Sequence, residues 1–325
     1  MAPPAAKPQS MGFDASTSRR QNGGRGALSK VAFEIRKGES LRSALKRVAR
    51  AELRRARRVA RDGERPLSDR AHGLRAALKR ARALIRLTRS VRGKRARAAE
   101  RQLRDSARKL AALRDAHVVV RTFDQLTAEL PHPVGPGVAA VRARLVTSLR
   151  DRRDAFEEAG RFQAVAERLR SHQDQIDSWL PGRTEDEWTV VGPGLEAGYR
   201  RAREAMRRAY ARPNGAAFHA WRRAVKAHRF QVRFVRPVSR KDLAARVERL
   251  AALGELLGVE HDLTVLRETL GPGGDGGGTG LLRLLERRQR ELRAQARPLG
   301  EALFADRPRD VRRRFRDDLR RFYEG

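Results

Sequence analysis

A chain of 325 residues with 74 Lys and Arg against 39 Asp and Glu carries a formal net charge of +35 at pH 7, a self-repulsion that a fold tolerates when an anionic partner neutralises it. Cysteine is absent, which excludes disulfide staples, thiolate zinc sites and cysteine nucleophiles. No apolar run approaches the roughly 18 residues of a membrane span, and the N-terminus lacks the apolar core of a secretory signal, so a soluble cytoplasmic protein with no membrane partner is expected.

The basic residues are 65 Arg and 9 Lys. Arg grips phosphate oxygens with a planar, bidentate fork where Lys offers a point charge. A GC-rich genome would also favour Arg over Lys, but it would not produce the net charge or the spacing described next.

Residues 1–37 are rich in Pro, Ser, Gly and Gln without periodicity and read as a disordered N-terminal segment. From Gly38 onward the pattern is helical. The first helix places Lys46, Arg50, Arg54, Arg57 and Arg61 on one stripe beside an apolar face of Leu45, Ala49, Leu53, Ala56 and Ala60. After Asp62-Gly63 and Pro66 comes a helix in which His72, Arg75, Lys79, Arg82 and Arg86 recur at i, i+3, i+7, i+10 and i+14. At about 3.6 residues per turn these fall within roughly 80° of the circumference and form a cationic ladder about 20 Å long. Leu74, Ala77, Leu78, Ala81 and Ile85 form the opposite, packing face.

A long helix and two more follow, with breakers at Gly93, Pro131 to Gly137, Gly160, Pro181-Gly182 and Gly192-Pro193-Gly194. The order then repeats. A basic helix with Arg200, Arg203 and Arg207 precedes the breaker at Pro213-Asn-Gly, and a second ladder helix carries His219, Arg222, Lys226, Arg229 and Arg233. There Trp221, Val225 and Val232 take the packing face, and Phe230 and Phe234 flank the ladder, predicting a helix buried on two sides. Pro237, the Gly271 to Gly280 loop and Pro308 divide the remainder. No stretch shows strand alternation. The expected fold is all-α: tandem duplicated helical bundles with pseudo-twofold symmetry, residues 38–193 forming the first bundle and 194–325 the second.

The ladders lie 147 positions apart, and the same offset superposes Arg114-Asp115 on His261-Asp262, Val118 on Val265, Leu103 on Leu250 and Leu110 on Leu257. His-x-Leu-Arg-x-x-x-Lys opening a helix, and Leu-x-x-x-Arg-Asp-x-x-Val closing the next, resemble the CHAD domain, an α-helical family named for its histidines. The resemblance spans residues 38 to 325. His261 stands where the family often has Asn, and His117 where Asp is common. The Glu-x-Glu-x-Lys signature of the triphosphate-cleaving domain often joined to this family is absent. The resemblance implies a stand-alone binder of inorganic polyphosphate, cytoplasmic, on or off polyphosphate granules.

The candidate phosphate-binding residues are the two ladders together with Arg50, Arg54, Arg57, Arg203 and Arg207. His72 and His219 stand on separate helices among cations, where metal ions are disfavoured; they are read as hydrogen-bond donors to phosphate or as caps of their helices. Asp115 and Asp262 are expected to hold ladder arginines in place from behind. The glycine-rich loop lacks the Gly-Lys-Ser/Thr ending of a phosphate-binding loop, and no nucleophile triad or carboxylate cluster is recognisable, so no cofactor, metal or catalysis is expected. The alternative reading is a protein that binds the nucleic-acid phosphate backbone.

Overall fold

The computed structural model describes residues 33–130, 135–180, 187–271 and 278–324; among these the regular structure is eleven α-helices and one 3₁₀ turn, with no strand. The helices are α1 (Leu41–Arg61), α2 (Leu67–Leu87), α3 (Arg89–Arg108), α4 (Ala111–Thr127), α5 (Pro136–Glu158), α6 (Arg161–Trp179), α7 (Glu187–Ala211), α8 (Gly215–Phe234), α9 (Arg240–Leu270), α10 (Gly278–Leu303) and α11 (Pro308–Glu324), with the 3₁₀ turn at Arg236–Ser239 between α8 and α9. Two starts are fixed by side-chain caps: Ser40 accepts from the Ser43 N–H at 3.1 Å, and Asn214 from the Ala217 N–H at 2.8 Å.

The apolar spacing that predicts these helices also predicts what they bury. Leu45, Ala49, Leu53, Ala56 and Ala60 of α1 and Leu74, Ala77, Leu78, Ala81 and Ile85 of α2 are all in the core. Trp221, Val225, Val232 and Phe234 of α8 are buried and Phe230 half-buried, so that helix is enclosed on two sides as expected.

At the 147-residue offset read from the sequence, α7–α8 fall on α1–α2 and α9 on α3–α4. The long third helix appears whole only in the second half, where α9 runs 31 residues. In the first half the chain breaks between α3 and α4, and Gly93 inside α3 takes φ 35°, ψ −107°. Gly192-Pro193-Gly194 does not break the chain and lies inside α7. Proline leaves the carbonyl four residues earlier without its helical donor, and the Ser90 hydroxyl reaches that carbonyl, on Thr189, at 3.4 Å. Gly194 lets α7 press onto α2, since a Cβ there would stand 2.3 Å from the Leu87 carbonyl oxygen. The expected breakers at 131–134, 181–186 and 272–277 lie outside the described residues.

So do residues 1–32 of the expected disordered segment. The described chain is packed from its first residue, earlier than the Gly38 boundary: Phe33 and Ile35 are buried, and the Ile35 N–H donates to the Phe234 carbonyl at 2.9 Å.

The apolar interior crosses the expected division at 193/194. One core joins α1, α2, α3 and α6 to α7, α8, α11 and parts of α9 and α10. A second, smaller core packs Val119, Phe123 and Leu126 of α4 and Val141 of α5 against Leu263, Leu266 and Leu270 of α9 and Leu281 and Leu285 of α10. Helices α4 and α9 are thereby held against each other, with both ladder helices beside them.

Candidate anion-binding site

The ladder side chains of α2 lie over the next helices of the chain. Arg75 Nη1 donates to the Ala107 carbonyl of α3 at 2.9 Å. Lower down, Glu100 of α3, 6% exposed, accepts from Arg82 at 3.4 Å and from Arg86 and Arg89. The expected uninterrupted cationic rail therefore carries one carboxylate, contributed by a neighbouring helix. Its electrostatics are one-sided. Three guanidiniums hold the Glu100 carboxyl down at about 2 despite the opposing effect of burial. Arg82, by contrast, is pushed down to about 10 by burial and by Arg86 beside it, because it shares its one carboxylate with two other cations. Of the five, His72 is exposed and the other four are half-buried.

The α8 ladder lies along α9. His219 Nδ1 is 3.0 Å from His261 Nδ1, with ring centroids 4.0 Å apart, a contact in which one facing nitrogen carries the hydrogen and the other accepts it. Arg222 is only 7% exposed and passes over Gly258, while Lys226 passes over Gly254. Behind Arg222 is Glu260, 1% exposed, which accepts from Arg293 at 2.6 and 3.0 Å and whose carboxyl burial raises. Arg229 is half-buried, and burial lowers its pKa. Arg233 is exposed, its guanidinium 5.8 Å from the centre of the Phe33 ring, a cation–π contact.

Asp262 is buried and faces Arg121 of α4 at 3.6 Å, bridging α9 and α4. Asp115 is half-buried on α4. His117 is half-buried with a pKa lowered by burial and then by Arg153 of α5.

The α1 stripe is not brought to the α2 ladder. It faces α6: Arg50 pairs with Asp177, and Arg54, Arg57, Arg58 and Arg61 line an open groove of about 590 Å³ with Asp62 and Gln173. On α7, Arg203 Nε donates to the Phe304 carbonyl at 2.9 Å, tying α7 to the turn after α10, whereas Arg207 is exposed. Sequence reasoning passed over Glu100, Arg89, Arg121, Arg201 and the His261 contact. For Glu100 a signal exists, since it interrupts the apolar stripe of Ala96, Ala99 and Leu103. Among the described residues, no group of three or more His, Asp or Glu side chains is placed to hold a metal ion, and no helix is long and apolar enough to cross a membrane.

A family model for the CHAD domain matches residues 41–271, ending before the C-terminal limit of the resemblance read from the motifs. Among solved structures, PptA from Streptomyces chartreusis is similar with a TM-score of 0.59 at 17% identity, over 82% of this chain and 100% of that one. The CHAD domain from the plant Ricinus communis is similar with a TM-score of 0.55 at 18% identity, over 88% of this chain and 99% of that one. At such identities the likeness is one of fold. Comparison with curated proteins gives no significant match. The matched span takes in both ladders and the helices of Asp115 and Asp262, and the chain belongs to the CHAD domain family.

Proposed function

We propose that this protein binds inorganic polyphosphate along its two ladders, His72, Arg75, Lys79, Arg82 and Arg86 on α2 and His219, Arg222, Lys226, Arg229 and Arg233 on α8, without catalysis. What supports the reading most is that both ladders run along helices of one packed unit, α2 against α3 and α4 and α8 against α9, in a chain of net charge +35. In the first ladder and its surroundings cations outnumber the carboxylate that serves them. Each ladder presents closely spaced cations over about 20 Å, and a repeating anion gains from every further phosphate engaged at high effective concentration. Asp262 works from behind through Arg121, and Asp115 has the same role on α4. The α1 stripe, with Arg50, Arg54 and Arg57, is a separate basic groove on the α6 side, with Arg207 an outlying cation and Arg203 a tie between helices.

The alternative is a nucleic-acid phosphate backbone. Binding to single strands stacks bases on aromatic faces, but the large aromatics Trp221, Tyr199, Phe123, Phe218, Phe234 and Phe304 are fully buried here. Competition between long-chain polyphosphate and duplex DNA at matched salt tests the proposal. Polyphosphate should win across the salt range with the steeper salt dependence, as more contacts per length require. Equal competition by DNA would make the nucleic-acid reading the better one.

A further inference from the structure

Where α2, α3, α7 and α8 meet, at the C-terminal end of the first ladder, the structure encloses a pocket of about 180 Å³, room for several waters. Arg86, the ladder's last rung, lines it with Arg89, Ser90, Gly198, Arg201 and Gln231. Arg86 and Arg89 share Glu100 with Arg82. Arg201 adds a fourth cation, half-buried, repelled by Arg86 and Arg89 and attracted by Glu100 and Glu204. Four guanidiniums, Arg82, Arg86, Arg89 and Arg201, against the carboxylates of Glu100 and Glu204 leave a net charge of +2 at a partly enclosed site.

Gln231 forms part of the pocket wall. Gln231 is 1% exposed; its amide nitrogen donates to the Ala83 carbonyl at 3.4 Å, and its Oε1, closed off from solvent, faces the His228 ring. Gly198 brings the α7 backbone against that oxygen, since a Cβ there would lie 2.0 Å from it. With cations in excess of the carboxylates beside them, the site suits a compact anion of high charge.

We propose that this pocket receives a terminal phosphoryl group, so that the first ladder holds the interior of a phosphate chain and the pocket holds its end. Interior phosphates of a chain carry one charge each. A terminal one carries about −1.5 to −2 charge and an extra unbridged oxygen, which suits it to the three guanidiniums of Arg86, Arg89 and Arg201. The chain-end assignment rests on the polyphosphate reading; a small free phosphate shares the same chemistry.

The test compares full-length wild-type protein with Arg201→Gln, and with Arg287→Gln as an exposed, equally charged control. Probes are polyphosphate of one length with free ends, the same chain with both ends capped as esters, pyrophosphate and orthophosphate. Wild type and the control should bind the free-ended chain about tenfold more tightly than the capped one, the worth of one charge-assisted hydrogen-bonded contact. Arg201→Gln should close that gap while keeping the wild-type circular dichroism spectrum. Pyrophosphate should raise the melting temperature of wild type and not of Arg201→Gln. Equal binding of capped and free-ended chains by wild type would overturn the chain-end assignment and leave the polyphosphate reading standing. Orthophosphate matching pyrophosphate at equal concentration would also overturn it, in favour of a free-phosphate site. If polyphosphate did not bind at all, a pyrophosphate shift lost in Arg201→Gln would still support the pocket as a phosphate receptor, and no shift in wild type would end it.

Discussion

Replacing Glu100 with Gln should make the protein less stable and a tighter binder at once. In the folded state the Glu100 carboxyl is held at about 2, against an ordinary value of 4.5. At about 1.4 kcal/mol per unit this corresponds to roughly 3 kcal/mol, the size expected when one partner of a buried ion pair is removed. The sign follows from linkage: the folded pKa is depressed, so the contribution is complete above the unfolded value of 4.5 and is lost as pH falls through about 2. Urea or thermal melts of Glu100→Gln should therefore show a loss of about 3 kcal/mol, or roughly 5 °C, at pH 7, shrinking as the pH is taken below 4. The same substitution strips Arg82, Arg86 and Arg89 of their shared carboxylate, and affinity for polyphosphate should rise about fivefold, near 1 kcal/mol. Unchanged stability at pH 7 would refute the electrostatic account of α3, and lowered affinity would refute the idea that the ladder's cations are under-compensated.

His228 is fully buried, and burial followed by the nearby Arg246 pushes its pKa down to about 3 against the opposing effect of Gln231 beside it. A histidine kept neutral in the fold takes up its proton only on unfolding, so its contribution is whole above about 6.5 and is lost as pH falls from there toward 3. His228→Leu should be near-neutral at pH 7 and should remove about 1.4 kcal/mol per pH unit of acid sensitivity between pH 6 and 4, read from melts across that range. Gly194→Ala drives a methyl into the Leu87 backbone and should cost about 2 kcal/mol or more by chemical denaturation, whereas Gly63→Ala, with open space around it, should cost less than about 0.5 kcal/mol.

Period-3.6 patterning made most of the helices and the packing faces of α1, α2 and α8 legible, because burial selects apolar residues at that spacing whatever lies opposite. The same regularity made both ladders visible. It could not say which neighbour each ladder would meet. That α2 lays its cations over α3, that the α1 stripe turns instead to α6, and that His219 meets His261 are consequences of helix packing between positions far apart in sequence. The breaker at Gly192-Pro193-Gly194 misled because its punctuation has another use: Gly194 permits close contact with α2, and Ser90 serves the carbonyl that Pro193 leaves. Arg201 looked like one more surface charge; only the approach of α7 to α2 places it beside Arg86 and Arg89.

The central claim, that position on the ladders matters beyond net charge, is tested most directly by titrating long-chain polyphosphate against two double variants. Lys79→Glu with Lys226→Glu reverses half-buried ladder residues, and Arg287→Glu with Arg320→Glu reverses exposed ones elsewhere. Both change the net charge equally. The ladder account predicts that the first double loses at least about tenfold more affinity than the second at physiological salt. Equal losses would contradict it and reduce the protein's attraction for polyphosphate to bulk charge.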